Sequence, residues 1–168
     1  MPNQQPIITS ENGRREFACS PAAVVAFIVN EQEQVLLSVH AKRNRWEVVS
    51  GALEAEETIL DGALREVTEE LGPEIRVRPL GVLHASTWRY DDNAQFMISI
   101  CYLMAYEGGE VQTGDDMKGG EYRWWELDEL VDTELHIGIP RERWLFQRAI
   151  ELYRIWKDQE VELQPHLV

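Results

Sequence analysis

Glu66, Glu69 and Glu70 stand at i, i+3 and i+4 in the run Arg65-Glu66-Val67-Thr68-Glu69-Glu70. On a helix turning about 100° per residue, their directions span about 100°, so three carboxylates would share one face. Like charges at that spacing destabilise a bare helix by about 0.2–0.5 kcal/mol per pair. A solvated face would ordinarily intersperse lysines. Here seven acids (Glu54, Glu56, Glu57, Asp61, Glu66, Glu69, Glu70) meet one base, Arg65, between Glu54 and Glu70. Two readings fit the residues: an acidic solvated face, or an oxygen-rich seat for a hard divalent cation. Mg²⁺ in particular takes a few carboxylates, keeps waters and bridges substrate phosphates.

The surrounding order separates the two. From Gly51 the chain reads G-ALEAE-E-TILDGAL-RE-V-T-EE-L-G. It resembles the Nudix box, G-x5-E-x7-R-E-U-x-E-E-x-G-U, where U is a bulky aliphatic residue. Gly51, Glu57, Arg65, Glu66, Val67, Glu69, Glu70 and Gly72 match in type and spacing, whereas Pro73 stands at the last aliphatic position. Upstream, Trp46-Glu47-Val48-Val49-Ser50-Gly51 resembles the lead-in W-E-L-P-G-G, with Val49-Ser50 in place of Pro-Gly.

The resemblance implies a Nudix fold: α+β, a mixed sheet between helices (α/β/α), with a catalytic loop–helix–loop. It implies Mg²⁺ or Mn²⁺ held by Glu66 and Glu70, with Glu69 as a third ligand or as the acceptor of a proton from water. The Gly51 carbonyl would add a backbone ligand, and Arg65 and Glu57 would orient the glutamates. A further carboxylate from a late loop is expected at Glu121, with Asp115 and Asp116 behind it. The implied reaction is metal-assisted attack of water on the pyrophosphate of a nucleoside diphosphate linked to another group. The other reading within the fold is a nucleotide-binding sensor without turnover; such domains typically lose box glutamates, and this chain keeps all of them.

Substrate contacts are less legible. Lys42, Arg43 and Arg45 form a tight basic cluster just upstream of the box and could hold phosphate oxygens. Tyr90 lies 17 residues past the box, a distance that the resemblance associates with diadenosine polyphosphate hydrolases. Trp88 occupies the place of a proline common in ADP-ribose pyrophosphatases, and would stack on a base or join the core. His40, His84, His136 and His166 have no mutual spacing suited to a metal.

Positioning these groups requires a framework. Thr58–Leu71 reads as a helix, with Leu60, Ala63, Leu64, Val67 and Leu71 as one apolar stripe, Thr58 as N-cap and Gly72-Pro73 as the stop. Ala22–Val29 is a short β-branched run suited to a buried strand, and with Val35–Val39 it makes a hairpin around Asn30–Glu33. Further strands are expected at 75–88, 95–106 and 122–125, with a helical turn at 128–130. A last helix should open at Pro140 and run to about Asp158. Residues 1–20 read as a polar arm with Pro2, Pro6 and Gly13 against regular structure, 21–160 as one domain, and 161–168 as a fraying tail. With no alternating βαβ units, the order argues for an α+β mixed sheet.

Sixteen basic residues against thirty acidic ones leave the 168-residue chain at −14, which excludes duplex nucleic acid as a main partner. About −6 of this lies within Glu54–Glu70, where a cation would offset it. A small nucleotide-type substrate is the expected partner; a homodimer is permitted but not required. No apolar run suits a membrane span, Met1–Arg15 carries no signal-like apolar core, and Cys19 and Cys101 read as two buried small hydrophobes. The expected location is the cytoplasm.

Overall fold

The computed structural model describes residues 5–39, 45–114, 117, 119–132 and 135–159. In chain order the strands are β1 (Ile7–Thr9), β2 (Glu16–Ala18), β3 (Ala22–Val29), β4 (Val35–Val39), β5 (Trp46–Glu47) and β6 (Val49–Ala52). Helix α1 (Ile59–Leu71) follows, then β7 (Arg76–Trp88), β8 (Met97–Gly108), β9 (Glu121–Trp125), α2 (Leu127–Val131), β10 (Ile137–Ile139) and α3 (Trp144–Trp156).

The centre is β3 beside β8, paired in parallel from Ala22↔Ile98 to Val29↔Ala105. The main sheet runs β10-β5-β4-β3-β8-β7, with β6 also on β3 and β9 also on β4. β3 is apolar without a break because both faces are covered. Val25, Phe27 and Val29 pack with Leu145, Phe146, Ala149 and Ile150 of α3. Val24, Ala26 and Ile28 pack with Ala63, Val67 and Leu71 of α1. One strand thus divides two hydrophobic layers by simple alternation, and the result is the expected mixed sheet between helices.

Helix α1 forms as its pattern predicts. The Thr58 hydroxyl accepts the Asp61 amide at 3.1 Å, and Gly72, at φ 91°, donates its amide to the Thr68 carbonyl at 2.9 Å. The five stripe residues pack against the sheet, while Glu66, Glu69 and Glu70 stay beside it.

Three expectations need correction. The N-terminal arm contains the β1–β2 hairpin, with Ile7↔Ala18 and Thr9↔Glu16 in register. Its Asn12-Gly13 corner supplies the turn: Gly13 takes φ 69°, and the Ser10 hydroxyl accepts the Arg15 amide. The last helix starts at Trp144 rather than Pro140, because Ile137–Ile139 is first held extended beside β5. Cys101 is buried, but Cys19, just past the hairpin, is exposed. The tail expected at 161–168 lies outside the described residues. Among the described residues, no helix is long and apolar enough to cross a membrane.

Candidate active site

Strand β6 delivers the glycine and α1 the glutamates, and backbone contacts lock the two together. Ser50 donates its amide to Glu70 Oε1 at 3.1 Å. A Cβ on Gly51 would lie 2.0 Å from the Glu66 carboxyl carbon, so only glycine lets that carboxylate lie against the β6 backbone. Gly62 does the same for the loop before the helix: a Cβ there would sit 2.7 Å from Glu57 Oε1 and from Leu53 Cδ1.

Arg65 is the hub. Its Nε and Nη2 donate to the two oxygens of Glu57 at 3.1 and 2.8 Å, and Nη1 donates to Glu66 Oε1 at 2.7 Å and Glu69 Oε2 at 2.9 Å. Nη2 also reaches the Ala52 carbonyl at 3.0 Å, so all five guanidinium protons have acceptors, as a planar fork permits and an ammonium would not. The bonds to Glu57 and Glu66 raise the Arg65 pKa further. Arg65 and the Glu54 amide hold the Glu57 carboxyl below the usual range. Burial pushes Glu66 up, outweighing the pull of Arg65.

Those donors fit a hard divalent cation in kind. A partly desolvated carboxylate in a cradle that a Cβ would fill, with Glu69 and Glu70 on the same face, is oxygen chemistry suited to Mg²⁺ or Mn²⁺. Among the described residues, however, no three acids, histidines or cysteines converge as a finished ligand cluster. Arg65 engages Glu66 and Glu69 instead.

The last turn of α1 is closed by a strap, residues 109–114. Gln112 donates its amide to the Leu71 carbonyl at 2.8 Å, and Gly114 to the Glu70 carbonyl at 3.0 Å. A Cβ on Gly114 would fall 1.6 Å from the Glu69 carbonyl oxygen. Beyond the strap opens a cavity of ≈ 530 Å³, lined by Gln112, Thr113, Gly120, Glu121 and Tyr122. Sequence reasoning missed Gln112, Thr113, Gly114 and Tyr122; the Gly/Asp-rich stretch read only as a loop.

The remaining candidates scatter. Glu121 lines the cavity, but alternation from Trp125, which packs toward α3, assigns its strand position to the face away from α1. Arg45 is ion-paired through Nε to Glu47 Oε1 at 2.6 Å. Trp88, the last residue of β7, and Tyr90 stack edge to face at 5.6 Å, both exposed and outside the cavity lining. Of the two expectations for Trp88, stacking on a base or joining the core, its exposure contradicts the second. His84 stacks on Trp144. Lys42, Arg43, Asp115, Asp116, His40 and His166 lie outside the described residues.

A family model of the NUDIX domain matches residues 20–146, well over half of the chain. The chain belongs to the Nudix family. Among curated Nudix relatives, an ADP-ribose pyrophosphatase of Methanocaldococcus jannaschii is 28% identical over 82% of this chain and 76% of its own length. An NAD-capped RNA hydrolase, NudC, of Photobacterium profundum is 33% identical over 55% of this chain, which spans only 32% of that protein. Among solved structures, an ADP-ribose pyrophosphatase of Streptococcus suis superposes with a TM-score of 0.61 at 19% identity, covering 81% of this chain and 93% of the other. A Nudix-family hydrolase of Clostridium perfringens gives 0.63 at 19%, covering 78% and 96%. Those structures share the Nudix fold with this Nudix hydrolase.

Proposed function

We propose that this Nudix hydrolase cleaves the pyrophosphate of a nucleoside diphosphate linked to a second moiety, with ADP-ribose as the first substrate to examine. The observation that carries the reading is the Arg65 hub, which binds Glu57, Glu66 and Glu69 into one unit beside Glu70 and Gly51. The likeness to the ADP-ribose pyrophosphatase over most of both chains supports the substrate class.

Mg²⁺ or Mn²⁺, when bound, supplies a lowered water pKa and neutralises phosphate oxygens. Glu66 and Glu70 would hold the ion, with the Gly51 backbone beside them. Glu69, more exposed than Glu66 and held by Arg65 at Oε2, would accept the proton of the attacking water. Glu57 anchors the other edge of Arg65, and so fixes Glu66 in the desolvated cradle. Water adds at one phosphorus, the bridging P–O bond breaks, and two phosphate monoesters leave with a proton.

The test is product release from ADP-ribose, NADH, nucleotide sugars and dinucleoside polyphosphates, with Mg²⁺ or with chelator. Turnover should require the metal and fall by at least about 100-fold in Glu70→Gln. Binding of these nucleotides without metal-dependent turnover would instead make the chain a sensor. Equal rates in wild type and variant would remove Glu70 from the ligand set.

A further inference from the structure

We infer that the cavity between the strap and the start of β9 seats the nucleoside end of the substrate, with Tyr122 as the stacking surface and Gln112 as the polar reader. This rests on the proposed hydrolysis for its meaning, though not for its test.

Placement comes first. Trp124 packs into the cluster beneath α1, so strand alternation puts Tyr122, two residues earlier, on the same face as the catalytic helix. Tyr122 is 43% exposed there, which leaves ring surface for a ligand. The opposite wall belongs to the strap, whose Gln112 and Gly114 amides are bonded to the Leu71 and Glu70 carbonyls. One lining residue, Gln112, is thus bonded through its backbone to Leu71, in the last turn of the helix that carries Glu69 and Glu70. A substrate with its phosphates at those carboxylates would lay its next group here.

The chemistry of the lining selects which group that is. Among the described lining residues there is no cation, and Glu121 is the single charge. Phosphate would be repelled, whereas a neutral ring with hydrogen-bonding edges would be accepted. Tyr122 offers a π face, Gln112 an amide that both donates and accepts, and Thr113 a hydroxyl. The volume of ≈ 530 Å³ falls within the range of small-ligand sites.

The experiment compares wild type with Tyr122→Leu, Tyr122→Phe and Gln112→Ala; the last keeps the backbone amide that caps α1. Calorimetric titration without metal uses AMP and ribose 5-phosphate as probes, and steady-state kinetics use ADP-ribose with Mg²⁺. AMP should bind wild type, weaken about tenfold or more in Tyr122→Leu, and recover to within about threefold in Tyr122→Phe, as loss and return of one stacked base predict. Ribose 5-phosphate should be indifferent to all three changes. With ADP-ribose, KM should rise in step with the loss of AMP affinity while kcat stays within about twofold. AMP affinity unchanged in Tyr122→Leu, selective loss of ribose 5-phosphate, or no AMP binding to wild type would each overturn the assignment. Absence of turnover alongside Tyr122-dependent AMP binding would overturn the hydrolase reading and leave the nucleoside seat standing.

Discussion

Replacing Gly114 by alanine tests whether the strap and the catalytic helix are one mechanical unit. The new Cβ would start 1.6 Å from the Glu69 carbonyl oxygen and 2.7 Å from its carbon, against backbone rather than a movable side chain. Ordinary carbon contacts lie at about 3.5 Å, so the strap must retreat by roughly 2 Å. At that displacement the Gly114–Glu70 bond, now 3.0 Å, is lost, and the Gln112–Leu71 bond of 2.8 Å is strained or broken. Each backbone bond contributes about 0.5–1.5 kcal/mol net, which gives a loss of about 2 kcal/mol. For a chain of this size that lowers Tm by about 4–8 °C. Urea unfolding should show a reduced midpoint at unchanged slope. Hydrogen exchange should show faster exchange in residues 109–114, with the β3–β8 centre unaffected. Stability within about 0.5 kcal/mol of wild type, together with unchanged exchange in the strap, would refute the reasoning.

Two further outcomes follow from the same geometry. Gly51→Ala places a Cβ 2.0 Å from the Glu66 carboxyl carbon. That flexible side chain can swing away, so thermal melts should stay near wild type while metal-dependent turnover falls by about 100-fold or more; turnover within threefold would sink the cradle. Burial pushes the Cys101 thiol up to about 11, from an ordinary value of 9.0. A raised pKa means that its stabilising contribution is complete below about pH 9 and is lost as pH rises through 11. The Tm difference between wild type and Cys101→Ala should shrink over that window, and a difference independent of pH from 8 to 11 would contradict the burial.

How much the sequence revealed depended on the range of the interactions. Helix α1 was legible because its stripe, the Thr58 cap and the Gly72 stop are local, and the β3 run showed its two-sided burial in its own composition. Arg65 could be assigned to orienting the glutamates from the resemblance, but its five-bond fork to Glu57, Glu66, Glu69 and Ala52 needs three-dimensional packing to appear. The strap was invisible because its anchor is the absence of a side chain at Gly114 against a carbonyl 45 residues earlier. Tyr122 looked like any strand residue until Trp124 fixed its face. The β1–β2 hairpin has strands of only three residues, too short for a clear alternation, and Gly13 reads as readily as a breaker as a turn residue. For Trp88, a large apolar side chain near a strand end, no local signal distinguishes core from surface.

The sheet ends at β7, and among the described residues its outer rim has no partner. Thirteen residues of open backbone would ordinarily invite another chain to add a strand. This rim is a poor template. Pro79 has no amide to offer, and the ladder with β8 slips three times, near Arg76, Pro79 and Val82. Arg78 ties the same strand to Glu107 and to the Lys157 carbonyl. An incoming strand would therefore meet interrupted register and fixed charge. The irregularities that make β7 look imperfect serve colloidal safety: they discourage growth of the sheet from one molecule into the next.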